Sequence, residues 1–91
     1  METEKMIREK LTAGLQPTQL VVDNVSHKHA GHAGSPGTGE SHFDVKVVST
    51  AFEGMPKVAR FRAVHSLLKA EMDGPVHALS LDLKTPDEAA R

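Results

Sequence analysis

The sequence contains no cysteine among its 91 residues. Disulfide bonds and internal thiol redox chemistry are therefore excluded, and the chain alone cannot hold an iron–sulfur cluster, which needs thiolate ligands. No apolar run is long enough to cross a bilayer. Glu2, Glu4 and Glu9 distinguish the first residues from acid-poor transit peptides. We expect a cytoplasmic protein with no membrane association.

An excess of one charge is also lacking, since eleven lysines and arginines face twelve aspartates and glutamates and the net charge is −1. No global electrostatic field attracts the chain to nucleic acid or to anionic lipid, so a nucleic-acid site would need a local basic patch. A chain of this length forms one hydrophobic core. We therefore predict a single domain over residues 1–91.

Two amphipathic helices are predicted from the spacing of apolar residues. Ile7, Leu11 and Leu15 recur at steps of four, which is typical of a helix, and this helix ends before Pro17. A second helix is predicted over about 56–74, where a glycine and a proline end it. Its core face is predicted to be an arc of roughly 120° that contains Val58, Phe61, Val64, His65, Leu68 and Met72.

Three strands complete the predicted fold. The β-branched run at 20–25 and the alternating pattern at 43–47 predict an antiparallel pair. The segment 76–83 follows the second helix, so a right-handed crossover places it parallel in the same sheet. Thr85-Pro86-Asp87-Glu88 is a capping box that starts a terminal helix. The order αββαβα predicts an α+β fold with a small three-stranded mixed sheet and helices packed on one face.

The connection between the first two strands is rich in histidine and glycine. It covers about 26–41, longer than a usual hairpin loop, and we predict a long flexible loop there. His27, His29 and His32 lie within six residues of one another. Neutral imidazole binds transition metals near neutral pH, so a surface site for Zn, Ni or Cu is one interpretation of these residues. From the residues alone, a solvated polar loop is the favoured interpretation.

One further histidine, His77, stands at the start of the third strand. Its neighbours of the same parity are all leucines. From the residues alone, a partly buried imidazole that hydrogen bonds to the backbone is the favoured interpretation. A metal ligand is the alternative, because the start of a strand holds a donor rigidly.

Five short motifs are spread over nearly the whole chain. They are Ser26-x-x-His29, Gly39-Glu40-Ser41-His42-Phe43, Phe52-x-Gly54, Arg60-x-Arg62 and Val76-His77-Ala78-Leu79-Ser80. With these motifs the sequence resembles the BolA family. The resemblance implies an αββαβα fold like that of class II KH domains, and a role as adaptor to monothiol glutaredoxins in iron–sulfur cluster assembly and iron homeostasis. It also implies a disputed DNA-binding role.

The resemblance further implies a [2Fe-2S] cluster shared with a monothiol glutaredoxin, which supplies the thiolates and glutathione. His77 and His29 are the implied ligands from this chain, with His32 or His27 as alternates. Two positions depart from the family pattern. Phe61 stands where a histidine is usual between two arginines, and we expect it to be a packing substitution. Val25 stands where an acidic residue is common.

Two other classes of function are alternatives to this one. Lys57, Arg60, Arg62 and Lys69 of the second helix are candidates for nucleic-acid binding, but they flank both sides of the predicted apolar arc and form no single stripe. A DNA-binding regulator that uses this helix is the alternative hypothesis. Catalysis is not expected, because Ser41 and His42 are adjacent on a strand and point to opposite faces.

Overall fold

The computed structural model describes residues 2–25, 42–74 and 76–91. The described elements follow the predicted αββαβα order, except that the second helix is divided in two. They are α1 (Glu2–Leu15), β1 (Gln19–Asn24), β2 (His42–Val48), a 3₁₀ turn (Thr50–Phe52), α2 (Lys57–Leu67), α3 (Lys69–Asp73), β3 (Ala78–Lys84) and α4 (Pro86–Ala89).

Helix α1 has the predicted boundaries and the predicted core face. Ile7, Leu11 and Leu15 are all buried, as their spacing of four residues requires. The chain leaves the helix through Gln16, which adopts a positive φ of 45°, and Pro17 follows. Among the helices of the described ranges, none is long and apolar enough to cross a membrane.

The sheet is mixed, as predicted, with the strand order β1-β2-β3. Strand β1 pairs antiparallel to β2, and β2 pairs parallel to β3. Burial alternates along β2, where Phe43, Val45 and Val47 are buried while Asp44 and Lys46 are exposed. One face of the sheet therefore packs against the core, and the other face is open.

The helices pack on the buried face of the sheet. A single apolar cluster joins α1, the sheet and α2, and it includes the fully buried side chains of Phe52 and Leu68. The prediction of an α+β fold with helices on one face is confirmed. The other buried members of this cluster are Ile7, Leu11, Leu15, Val22, Phe43, Val45, Val47, Val64, Val76 and Leu83.

The predicted core face of the second helix is wrong in part. Phe61 is 41% exposed and Val58 is 58% exposed, although both were expected in the core. His65, expected to pack at the border of the face, is also exposed. Val64 is buried as predicted, and the residue that takes the place of Phe61 in the interior is Arg60, which is 6% exposed. Compared with the predicted core face, α2 is rotated about its axis so that Arg60 faces the interior.

Hydrogen bonds explain how Arg60 is accommodated in the interior. Its Nε donates to the carbonyl of Met55 at 2.9 Å, and its Nη1 donates to the carbonyl of Leu83 at 3.1 Å. Both nitrogens of its fork also bond to the carboxylate of Glu88, at 2.6 and 3.2 Å. The guanidinium carbon lies 5.8 Å from the centre of the Phe52 ring, within the range of a cation–π contact. Because each nitrogen of the guanidinium has an acceptor, the buried charge is tolerated.

The second helix is interrupted at Leu68, which has φ −104° and ψ 18° and is almost fully buried. The sequence predicts a single helix that ends at Gly74, whereas the structure has two helices that are separated at Leu68. Gly74 caps α3 with a negative φ of −109°, unlike the left-handed glycine typical of helix ends. A bond of 2.8 Å between Lys10 Nζ and the Glu71 carboxylate joins α1 to α3.

The predicted capping box of α4 is confirmed. The Thr85 hydroxyl accepts from the backbone N–H of Glu88 at 3.2 Å, and the Glu88 carboxylate accepts from the backbone N–H of Thr85 at 2.9 Å. Pro86 occupies the first helical position, where a missing N–H costs nothing. Glu88 therefore both caps α4 and forms an ion pair with Arg60.

Candidate functional site

Three chain segments meet at one end of the sheet. Strand β1 ends there, and β2 and β3 both begin there, because β1 is antiparallel and β3 is parallel to β2. His42 is the first residue of β2 and pairs in register with Ala78, the first residue of β3. The residue before Ala78 is His77. The topology therefore brings two histidines that are 35 positions apart in the printed sequence to the same edge.

The rings of His42 and His77 are neighbours. Their centroids lie 6.1 Å apart, and the planes are tilted by 38°. His42 is half-buried, whereas His77 is exposed. The interpretation of His77 as a partly buried core histidine is wrong, since its imidazole is accessible at the rim of the sheet.

The backbone around this pair is held by the sheet. The N–H of Val25, the residue after β1, donates to the carbonyl of His42 at 3.0 Å. Val25 is itself 5% exposed, so the residue that departs from the family pattern anchors the end of β1 in the core. Residues 26–41 leave the sheet at Val25 and return at His42, at the end of the sheet that carries His77.

The histidines predicted in the loop, His27, His29 and His32, lie outside the described residues. Their segment starts and finishes at the edge that carries His77. Within the described ranges, no group of three or more histidine, aspartate or glutamate side chains is placed to hold a metal ion. The described part of the chain thus contributes a pair of imidazoles at this edge.

The open face of the sheet beside this edge carries acidic side chains. Asp44 has the same parity as His42 along β2, and Asp23 of β1 pairs with Asp44 in register. Both aspartates are exposed. Lys46 is one step farther along the same face. Among the described residues, the charges nearest to this edge on the open face are therefore negative, which favours a cation there.

Sequence reasoning missed the position of His42. In the sequence, His42 is a neighbour of Ser41, and its alternation with Phe43 indicates only that it faces away from the core. The missing information was the register between β2 and β3, which pairs His42 with Ala78. A histidine at the predicted start of each of two parallel strands is the signal that could have identified the pair.

The four basic candidates of the second helix do not form a common surface. Arg60 is buried and bonded to Glu88, so it is not available to contact phosphate. Lys69 donates to Asp73 at 2.7 Å, and this hydrogen bond raises the pKa of Lys69 above its ordinary value. Lys57 and Arg62 are exposed. The inclusion of Arg60 among the nucleic-acid candidates is therefore wrong.

A protein-family model described as BolA-like protein matches residues 11–88 of the chain. Among curated proteins, the chain is 52% identical over 85 residues to the chloroplastic protein BOLA1 of Arabidopsis thaliana, which covers 91% of the chain but 53% of that protein. It is also 47% identical over 92 residues to an uncharacterized protein of a Sinorhizobium species, in the cobS 5′ region, covering 100% of the chain and 99% of that protein. The chain thus spans about half the length of the first relative and nearly all of the second.

Solved structures show the same similarity. The structure of BolA1 from Arabidopsis thaliana superposes with a TM-score of 0.84 at 50% identity and covers 93% of each chain. The BolA domain of SufE1 from the same plant superposes with a TM-score of 0.88 at 43% identity, covering 97% of this chain and 96% of that one. The second match shows that the fold described above also occurs as a domain of a SufE-like protein.

Proposed function

Because the chain belongs to the BolA-like protein family, we propose that it is an adaptor that binds a monothiol glutaredoxin and shares a [2Fe-2S] cluster with it. The purpose of such a complex is iron–sulfur cluster assembly and trafficking, or iron homeostasis. The presence of a BolA domain in a SufE-like protein fits a role connected with iron–sulfur metabolism. The observation that carries the proposal is the exposed imidazole of His77 at a rigid edge of the sheet.

The donor set of this chain suits one iron of such a cluster. With no cysteine in the sequence, the chain offers imidazole nitrogen but no thiolate. A cluster bound here would take imidazoles on one iron and thiolates from the glutaredoxin and glutathione on the other, which is the ligand division of a Rieske centre. Substitution of thiolate by imidazole raises the reduction potential of the bound cluster.

In this proposal His77 is the first ligand, and the resemblance assigns the second to His29, with His32 or His27 as alternates. The two anchor points of residues 26–41 support this arrangement, because both lie at the end of the sheet that carries His77, with His42 beside His77 and Val25 bonded to the far side of His42. A ligand at the start of a hydrogen-bonded strand loses little conformational freedom on binding. The chain's own contribution is therefore to present imidazoles and a docking surface, with no catalytic step.

The proposal is tested by co-purification of the chain with a monothiol glutaredoxin and glutathione, followed by visible absorption and circular dichroism. We expect His77→Ala to abolish the spectrum of the mixed cluster. The matched control is Arg62→Ala, an exposed change on α2 that should leave the spectrum intact. A His77→Ala complex with the spectrum of the unmutated one would refute the proposal. Arg60 is unsuitable as a control because its side chain is buried.

A further inference from the structure

His42 is the one side chain in ring contact with His77 among the described residues, and neither the sequence motifs nor the proposed cluster ligation assign it a role. We infer that His42 and His77 form a chelating pair that binds one transition-metal ion, with His42 as the second imidazole beside His77. The inference rests on the proposed function only where that ion is a cluster iron. A free divalent ion such as Zn²⁺ is bound by the same two imidazoles.

The two rings are close enough for small rotations to bring them onto one ion. With metal–nitrogen bonds of about 2.0–2.1 Å and a tetrahedral angle at the metal, two imidazoles that bind one ion have centroids about 5.2 Å apart. The observed distance of 6.1 Å is wider than this separation. A shared ion at the pair therefore requires rotation of the side chains toward each other.

Both imidazoles are attached to backbone that the sheet already fixes. His42 begins β2, and its carbonyl accepts the N–H of Val25 at 3.0 Å. His77 directly precedes Ala78, which is held opposite His42 by the parallel pairing. Donors on a rigid scaffold lose little entropy when a metal binds. This organisation favours His42 as a metal ligand.

The electrostatic surroundings also favour a cation. Asp44 lies on the same face as His42, two residues along β2, and Asp23 lies opposite Asp44 in register. They are too far from the pair to complete a cluster of ligands. Their negative charges attract a cation to the edge. The two further ligands of a tetrahedral ion come from outside the described residues.

The first experiment uses Zn²⁺ alone. His27, His29 and His32 would bind zinc themselves, so all three are changed to alanine in the parent chain. We expect isothermal titration calorimetry of this parent to show one zinc per chain, and we expect His42→Gln and His77→Gln to weaken the affinity at least tenfold each. His65→Gln, an exposed change on α2, is the matched control and should bind as the parent does.

A zinc affinity of His42→Gln equal to that of the parent would overturn the inference. Because His42 is half-buried, its variant must first give the circular dichroism of the folded parent. NMR of the parent provides a measurement without mutation at His42, since the imidazole signals of His42 and His77 should shift together as zinc is added. A shift of His77 alone would also overturn the inference.

The second experiment separates the two sources of the metal. The mixed cluster with glutaredoxin is formed with His42→Gln and with His29→Ala, and the two circular dichroism spectra are compared. If only His42→Gln changes the spectrum, His42 and His77 are the cluster ligands. If only His29→Ala changes the spectrum, His42 and His77 together bind free metal ions but not the cluster. If no mixed cluster forms while zinc still requires both histidines, the proposed function fails and the pair stands. If the cluster forms and neither the cluster nor zinc requires His42, the inference of a chelating pair fails and the proposed function stands.

Discussion

At the scale of single residues, the position of Arg60 decides how the second helix faces the core. A helical wheel that counts apolar side chains places Phe61 inward, yet Arg60 is buried and Phe61 is 41% exposed. The arginine bonds to the carbonyls of Met55 and Leu83 and to the Glu88 carboxylate. A buried arginine needs such partners, because an unpaired buried charge is strongly destabilising. These partners come from three different parts of the chain, so a local pattern cannot reveal them.

The pair of Arg60 and Glu88 makes stability depend on pH. The hydrogen bond from Arg60, followed by that from the Thr85 N–H, lowers the pKa of Glu88 from 4.5 to about 2. A carboxyl whose pKa is lower in the folded state stabilises the fold above the unfolded value, and this contribution disappears as the pH falls from about 4.5 to 2. We expect Glu88→Gln to lower the urea midpoint at pH 7 and to differ progressively less from the unmutated chain below pH 4.5.

Asp87→Asn is the matched control for this prediction. Asp87 is the neighbouring carboxyl of α4 and accepts from the exposed side chain of Arg91 at 2.8 Å. Exposed pairs four residues apart contribute little to stability, so Asp87→Asn should shift the midpoint only slightly at every pH. A gap between Glu88→Gln and the unmutated chain that is the same at pH 7 and at pH 3 would contradict the assignment.

At the scale of elements, Ser49 joins three structures where β2 ends. Its hydroxyl donates to the carbonyl of Leu15, the last residue of α1, at 2.6 Å. The same oxygen accepts the N–H of Ala51 at 3.0 Å and caps the 3₁₀ turn. The backbone N–H of Ser49 donates to the carbonyl of Lys84 at the end of β3. The junction thus orients α1 relative to the sheet.

We expect Ser49→Ala to lower the free energy of unfolding by about 1–3 kcal/mol, because it leaves the buried acceptor of this hydroxyl, the Leu15 carbonyl, without its partner. It also removes the cap of the 3₁₀ turn. Urea unfolding followed by circular dichroism measures the change. Ser66→Ala, an exposed change on α2, should stay within about 0.5 kcal/mol of the unmutated chain. Equal midpoints for the two variants would show that the hydroxyl of Ser49 contributes nothing to stability.

At the scale of the whole molecule, the charge distribution argues against DNA as the main partner. The net charge is −1, Arg60 is buried, and Lys69 is paired with Asp73. Lys57 and Arg62 are the two candidate cations of α2 that keep exposed side chains without a bonded carboxylate in the described part of the chain. Two such cations support at most a non-specific attraction to phosphate.

We therefore expect weak DNA binding that salt removes. Fluorescence anisotropy with a random duplex should give a dissociation constant in the range of about 10⁻⁴ to 10⁻⁶ M that weakens further as the salt rises. The double change Lys57→Ala and Arg62→Ala should reduce the binding, whereas Lys5→Ala on α1 should not. Tight binding that depends on the DNA sequence and survives at high salt would instead favour the regulator hypothesis.

The topology of the whole sheet also creates the candidate site. His42 and His77 come together because β2 and β3 are parallel and in a register that pairs His42 with Ala78. A slip by one residue would move every side chain of a strand to the other face. The apolar alternation of β2 and β3 prevents such a slip, because it would expose residues such as Phe43 and Val45. The core thus determines where the imidazoles lie.

The sequence by itself determined the order of the elements, the apolar face of α1, the alternation along β2 and the capping box of Thr85 and Glu88. These features depend on neighbours within a few residues, so spacing and propensity suffice to predict them. Only the tertiary structure decided that Arg60 faces inward and that His42 lies beside His77. Both depend on partners distant in the chain, through the rotation of α2 and the register of β3, and no local pattern encodes such contacts.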